Sequence, residues 1–235
     1  MGKEPLQKLK WDMNKPSIQR IYGEAKSALQ LACGKSPVFV DLLNFLNAQN
    51  FSVETINEFT GGVPRHETLL YSAFSKIPDT PFFKLKSALM AGYTELQWRV
   101  DDGGFYAKGS DVGDGYRRGN LHALLVGPED CPFVANDFLL GFFLLSPKTL
   151  YRDHKHLAPE IYVPLTGPSG WRFDQGAWKD HTAGSAIYNP PNLVHATRVY
   201  ETPFLALFGW SQDIGSACEV VFAGDWENIE AALVP

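Results

Sequence analysis

Between Tyr151 and Gly167 lie the residues best suited to chemistry: His154, His156, Glu160 and Tyr162. Two histidines one residue apart share a face of an extended strand, because side chains alternate with period two. If the chain stays extended after Pro159, Glu160 and Tyr162 share a face as well. Imidazoles, a carboxylate and a phenol converging on one point have the composition of an open metal site. A further ligand must come from elsewhere in the chain, and His195 is the natural candidate. Such a donor set, lacking a thiolate, suits one divalent transition ion, Zn, Fe, Mn, Ni or Co, without choosing among them.

The elements that must position these groups fall into two regions. Residues 1–92 read as helical, in a region that packs on the barrel or on a second copy in a homodimer. Ile18, Ile21, Ala25, Ala28, Leu29 and Ala32 form a stripe of helical period that begins after Pro16-Ser17 and stops at Gly34. Ser36-Pro37 opens a second helix, and further helices are expected from Glu67 to Ser75 and from Pro81 to Met90. From residue 93 to 235 the pattern changes to short apolar runs separated by Gly and Pro turns, the signature of a mainly β sandwich or barrel. The run from Phe138 to Leu145 reads as a buried strand, and the tail from Asp225 as a short closing helix.

Several function classes are excluded. The net charge of −5 leaves no basic excess for nucleic acid. The three widely spaced cysteines give neither a disulfide framework nor a Cys-x-x-Cys pair, which suits free thiols in the cytoplasm. The N-terminus has no apolar core of a secretory leader, and Leu6 stands where an acylation motif needs Ser or Thr. No apolar run is long enough for a transmembrane segment. The glycine-rich stretch from Gly103 to Gly119 lacks the ending of a phosphate loop and reads as a mobile loop. His66 reads as a surface or structural residue, and His122 as a core histidine.

The spacing His154-x-His156-x3-Glu160-x6-Gly167 resembles the first metal-binding motif of the cupin superfamily, with Lys148 in place of its leading glycine. Gly184-x5-Pro190-x-Asn192-x2-His195 resembles the second, with Asn192 in place of the turn glycine. Asparagine tolerates the left-handed backbone better than most residues, so the turn can form. Val199 replaces the customary closing asparagine. This resemblance implies a cupin double-stranded β-helix, a jelly-roll barrel, following the helical region.

Tyr162, with Tyr151, His195 and Trp210, narrows the resemblance to the cupin-type dimethylsulfoniopropionate (DMSP) lyases, most like the longer L-type with the Q-type as neighbour. These bacterial enzymes split that zwitterion into dimethyl sulfide and acrylate. The resemblance implies His156, Glu160 and His195 as ligands, with His154 a ligand or a close neighbour of the ion. Tyr162 would be the base, and Tyr151, Trp210 and Tyr188 would shape the substrate pocket. Aromatic faces attract a sulfonium cation, which adds Trp178 to Tyr151, Tyr188 and Trp210 as cage candidates. Two other classes use the same ligands: a cupin Fe(II) oxygenase on a small organic substrate, which gains nothing from Tyr162, and a non-catalytic cupin binding protein.

Overall fold

The structure is a computed structural model. It describes residues 3–234 apart from Lys35, Phe59, Pro64 and Glu129, with side chains from Lys15 onward. Met1 and Gly2, where a leader or acyl anchor would begin, lie outside the described residues. Helices α1 (Lys3–Cys33), α2 (Val40–Ala48), α3 (Glu67–Lys76) and α4 (Asp79–Gly92) come first. The short α5 (Asp114–Arg118) precedes the strands, and α6 (Trp226–Leu233) follows them.

The strands are β1 (Asn120–Gly127), β2 (Phe133–Val134), β3 (Phe138–Leu145), β4 (Thr149–Lys155), β5 (Glu160–Pro164) and β6 (Ser169–Phe173). They continue as β7 (Lys179–His181), β8 (Ile187–Asn189), β9 (His195–Val199), β10 (Phe204–Ser211) and β11 (Glu219–Val220). A six-stranded sheet has the order β2-β1-β3-β10-β5-β8, and a five-stranded sheet the order β11-β4-β9-β6-β7. Pairing is antiparallel throughout except between β1 and β2.

The apolar stripe of α1 is buried at Ile18, Ile21, Ala25, Ala28 and Leu29. This helix starts earlier than its sequence suggests and carries Pro16 in its interior. A proline there removes one backbone donor, which the remaining turns tolerate. In α4 the dihedrals of Thr80 are extended (φ −103°, ψ 122°), so the regular turns begin at Pro81, as expected for proline at a first helical position.

These helices pack on the outer face of the six-stranded sheet. Ile21, Leu29, Phe74 and Leu89 share one core with Phe142, Leu144, Val163 and Leu207. A second core fills the space between the sheets, with Phe143, Leu145, Tyr162, Trp171 and Phe204. A third lies beneath α6, on the outer face of the five-stranded sheet. Strand β3 is therefore buried on both faces, which explains its uninterrupted apolar sequence. Among the described residues no helix is long and apolar enough to cross a membrane.

Candidate metal centre

The site lies between the two sheets. Strand β4 carries His154 and β9 carries His195 directly opposite it. Glu160 and Tyr162 stand on β5, in the facing sheet, and Trp210 on β10 pairs with Glu160. The turn through Pro159 thus carries the chain from one sheet to the other, and the motif closes across the barrel rather than along one strand. Two left-handed residues shape the approaches. Lys148 (φ 59°) and Asn192 (φ 60°) occupy the motif positions where glycine is customary. The backbone N–H of Asn192 donates to the carbonyl of His156 at 2.8 Å, tying the second motif to the first.

All three imidazoles are anchored in the same way. Nδ1 of His154 lies 2.7 Å from the carbonyl of Arg152, Nδ1 of His156 lies 2.8 Å from that of Ala158, and Nδ1 of His195 lies 2.9 Å from that of Leu193. A carbonyl only accepts, so each Nδ1 carries the proton. Each Nε2 then points inward, and the candidate ligand atoms of the three all lie within 4.8 Å of one another. Nε2 of His195 is buried and has no hydrogen-bond partner.

Glu160 is held from three sides. Trp210 donates to Oε1 at 2.7 Å, Asn189 donates to Oε2 at 2.8 Å, and Nε2 of His156 lies 3.1 Å from Oε2. His195 Nε2 approaches the same oxygen at 3.6 Å. Burial pushes the carboxyl of Glu160 up, but the charge and hydrogen bond of His156 outweigh it and leave the group below its usual range. For His156 burial acts downward, and Glu160 more than reverses it. Burial depresses the other two imidazoles, His154 to about 3 and His195 well below its ordinary value.

This arrangement fits a divalent cation. Neutral imidazoles with fixed tautomers, a buried carboxylate and an orphaned ring nitrogen are what such an ion requires.

Around these candidate ligands is an aromatic cavity. Phe143, Tyr151, Tyr162, Phe208 and Trp210 line it, together with Phe105, Tyr116, His122, Leu139 and Cys218. Tyr151 lies over His154 with ring centroids 4.2 Å apart, and Tyr116 stacks on Tyr151 at 4.6 Å and 15°. The hydroxyls of Tyr106 and Tyr151 share a hydrogen bond. Burial holds the phenols of Tyr106, Tyr116, Tyr151 and Tyr162 well above the ordinary tyrosine value, and for Tyr162 the nearby Glu160 adds to it.

Two of the expected cage residues are elsewhere. Tyr188 follows Ile187, which faces the inner core, and precedes Asn189, which reaches Glu160. Strand alternation therefore turns Tyr188 outward, against Phe39 of the helical layer. Trp178 lies outside the barrel, with Arg172 4.8 Å and Arg198 4.7 Å from its ring centroid. His66 stands at the start of α3 in a left-handed conformation (φ 58°), away from the cavity. His122 lies at the cavity, its ring edge-on to Phe105 at 5.4 Å, where the sequence suggested a core residue.

Sequence reasoning missed Tyr106, Tyr116 and Asn189. The first two come from the glycine-rich stretch, where aromatic residues among glycines were the available signal. Asp101 orders that stretch. Its Oδ1 accepts the backbone N–H groups of Gly103 and Gly104 at 3.0 and 2.6 Å, and its Oδ2 accepts the Tyr116 hydroxyl at 2.6 Å.

Two sheets enclosing inward histidines and a carboxylate define a cupin-type barrel with a candidate metal centre. Residues 67–206, more than half of the chain, match the family model of the dimethylsulfoniopropionate lyases, and the chain belongs to that family. It is 30% identical over 139 residues to the dimethylsulfoniopropionate lyase DddQ of Ruegeria pomeroyi, an alignment covering 59% of this chain and 66% of that one. It is 33% identical over 89 residues to the putative dimethylsulfoniopropionate lyase DddL of Cereibacter sphaeroides, covering 37% and 36%. These alignments span just under two thirds of the DddQ sequence and about a third of DddL. The crystal structure of DddQ from Ruegeria pomeroyi DSS-3 superposes with a TM-score of 0.66 at 22% identity, covering 89% of this chain and 98% of that one.

Proposed function

We propose that this chain is a metal-dependent carbon–sulfur lyase that splits dimethylsulfoniopropionate into dimethyl sulfide and acrylate. The observation that carries this reading is the placement of Tyr162. Its phenol is buried in the same cavity as His154, His156 and Glu160, with His195 clustered beside them, where an oxygenase or a binding protein has no use for a base. The family relationship supports the same reading.

His154, His156, His195 and Glu160 would hold the ion. A divalent cation bound there supplies Lewis acidity to the substrate carboxylate, which acidifies the adjacent C–H, and it favours the phenolate of Tyr162. Tyr162 takes the proton from the carbon next to the carboxylate. The freed electron pair forms the carbon–carbon double bond. The bond to sulfur breaks, and its pair leaves with sulfur as neutral dimethyl sulfide. The proton on Tyr162 then returns to solvent, which restores the base.

The rest of the cavity binds and orients. Phe143, Tyr116, Tyr151 and Trp210 offer π faces to the sulfonium, an attraction worth roughly 0.5–2 kcal/mol per well-placed ring. Burial excludes water and strengthens the electrostatics at the reacting carbon. Trp210 and Asn189 hold the two oxygens of Glu160 so that Oε2 is directed at His156 and His195. The free, buried thiols of Cys33, Cys131 and Cys218 suit a reducing compartment, the cytoplasm. Purified protein loaded with each candidate metal and given the substrate should release dimethyl sulfide, detected by gas chromatography. Oxygen uptake in place of that gas would favour an Fe(II) oxygenase.

A further inference from the structure

Strands β4 and β9 pair with Tyr151 opposite Thr197 and His154 opposite His195. Between those pairs β4 has Arg152 and Asp153, whereas β9 has only Ala196. The extra residue is a β-bulge. In a regular strand residues three apart face opposite sides. Here the bulge turns both Tyr151 and His154 into the cavity and leaves Arg152 and Asp153 on the outer face, beneath α6.

Both outer residues are tightly held there. Arg152 gives Glu230 two parallel hydrogen bonds, from Nε and Nη2, each 2.9 Å long, and pairs with Asp111 through Nη1 at 2.5 Å. Its guanidinium lies 4.8 Å from the ring centroid of Trp226. Asp153 is fully buried; it accepts from Arg172 Nε at 3.0 Å and Nη2 at 2.5 Å, and from Trp226 Nε1 at 2.7 Å. Arg172 also reaches Asp225, which stands at the residue before α6. The inner side of the same bulge fixes a ligand, since the carbonyl of Arg152 accepts the Nδ1 proton of His154. A buried ion pair is a poor source of stability compared with apolar packing, but it holds groups in one geometry.

We propose that Arg152 and Asp153 are positioning residues for the metal centre, and that α6 acts through them to aim Nε2 of His154 at its partners. This inference rests on the metal-site reading above.

Trp226→Phe removes the indole donor to Asp153 and keeps an aromatic ring there, and Glu230→Gln weakens the clamp on Arg152 at a half-exposed position. For each variant the affinity for Co(II) is measured by chelator competition, the Co(II) absorption spectrum is recorded, and circular dichroism reports the fold. Trp226→Phe should weaken Co(II) binding by about 10-fold or more and shift the visible bands. In a His154→Ala background the same substitution should have no further effect on affinity, because its action passes through His154. Unchanged affinity and spectrum in a folded variant, or an equal loss in both backgrounds, would overturn the inference and leave α6 a purely structural element. Where Trp226→Phe does not fold, Glu230→Gln carries the same comparison. A wild-type protein that binds no Co(II) would instead remove the metal-site reading on which the inference rests.

Discussion

The indole N–H of Trp210 donates to Oε1 of Glu160 at 2.7 Å, while the same ring stacks on His156 with centroids 4.5 Å apart at 27°. Trp210 thus fixes both a candidate ligand and its neighbour, besides walling the cavity. Trp210→Phe keeps an aromatic face on His156 and removes the donor. A charge-assisted hydrogen bond of this kind is worth roughly 1.5–3 kcal/mol. The variant should therefore lose about 10-fold or more in kcat/KM and bind metal more weakly. Steady-state kinetics with metal titration check this.

Tyr162→Phe removes the proposed base and leaves the imidazoles and Glu160 in place. The variant should retain its metal by elemental analysis and lose about 10²–10⁴-fold in kcat. His195→Ala, by contrast, should lose metal and activity together. Near-normal turnover in Tyr162→Phe would move the base to another group.

The cavity wall and the outer surface separate cleanly by substitution. Tyr116→Ala opens the stack on Tyr151 and should raise KM about 10-fold. Trp178→Ala removes a ring lying between Arg172 and Arg198. It should leave KM unchanged and lower Tm by a few degrees, since each such contact contributes about 0.5–1 kcal/mol at an exposed site. Kinetics and thermal unfolding on the two proteins check the contrast.

Acid should destabilise the metal-free protein. His154 titrates at about 3 in the folded chain because burial disfavours its charge, and His195 is likewise held low. An unfolded imidazole takes up its proton near pH 6.5. From about pH 6.5 down to about pH 3 the unfolded state therefore binds more protons at His154 than the native state does, and stability falls by roughly 1.4 kcal/mol per pH unit through that group, with His195 acting in the same direction. The raised value of His156 acts in a separate window, above its unfolded value, where its contribution is lost as pH rises. Thermal unfolding of chelator-treated protein should show Tm falling from about pH 6.5 to about pH 5. A flat profile, or one that rises on acidification, would contradict the buried neutral imidazoles.

The histidine cluster was legible in the sequence because two kinds of information coincide at it. Strand period puts His154 and His156 on one face, and the motif spacing brings His195 alongside. Asn192 adopts the left-handed conformation expected of it, and Lys148 adopts it as well at the position where glycine is customary. Strand β3 was legible because burial on both faces leaves an unbroken apolar run. The cavity wall was less so. Tyr188 was placed wrongly because composition does not reveal which face of β8 a residue takes, and Trp178 because an aromatic residue next to a sheet can serve arginines outside as well as ligands inside. Tyr106, from a loop, and Tyr116, from α5, reach the site through a stretch ordered by Asp101, an arrangement with no periodicity to betray it. The bulge at Arg152 and Asp153 is equally silent, since it depends on the register between β4 and β9.

The central claim is tested most directly by anaerobic incubation of the metal-loaded chain with dimethylsulfoniopropionate, with both products quantified over time. The expected result is dimethyl sulfide and acrylate in equimolar amounts, abolished by a chelator and restored by metal. Folded, metal-loaded protein that releases no dimethyl sulfide above the buffer background would contradict it.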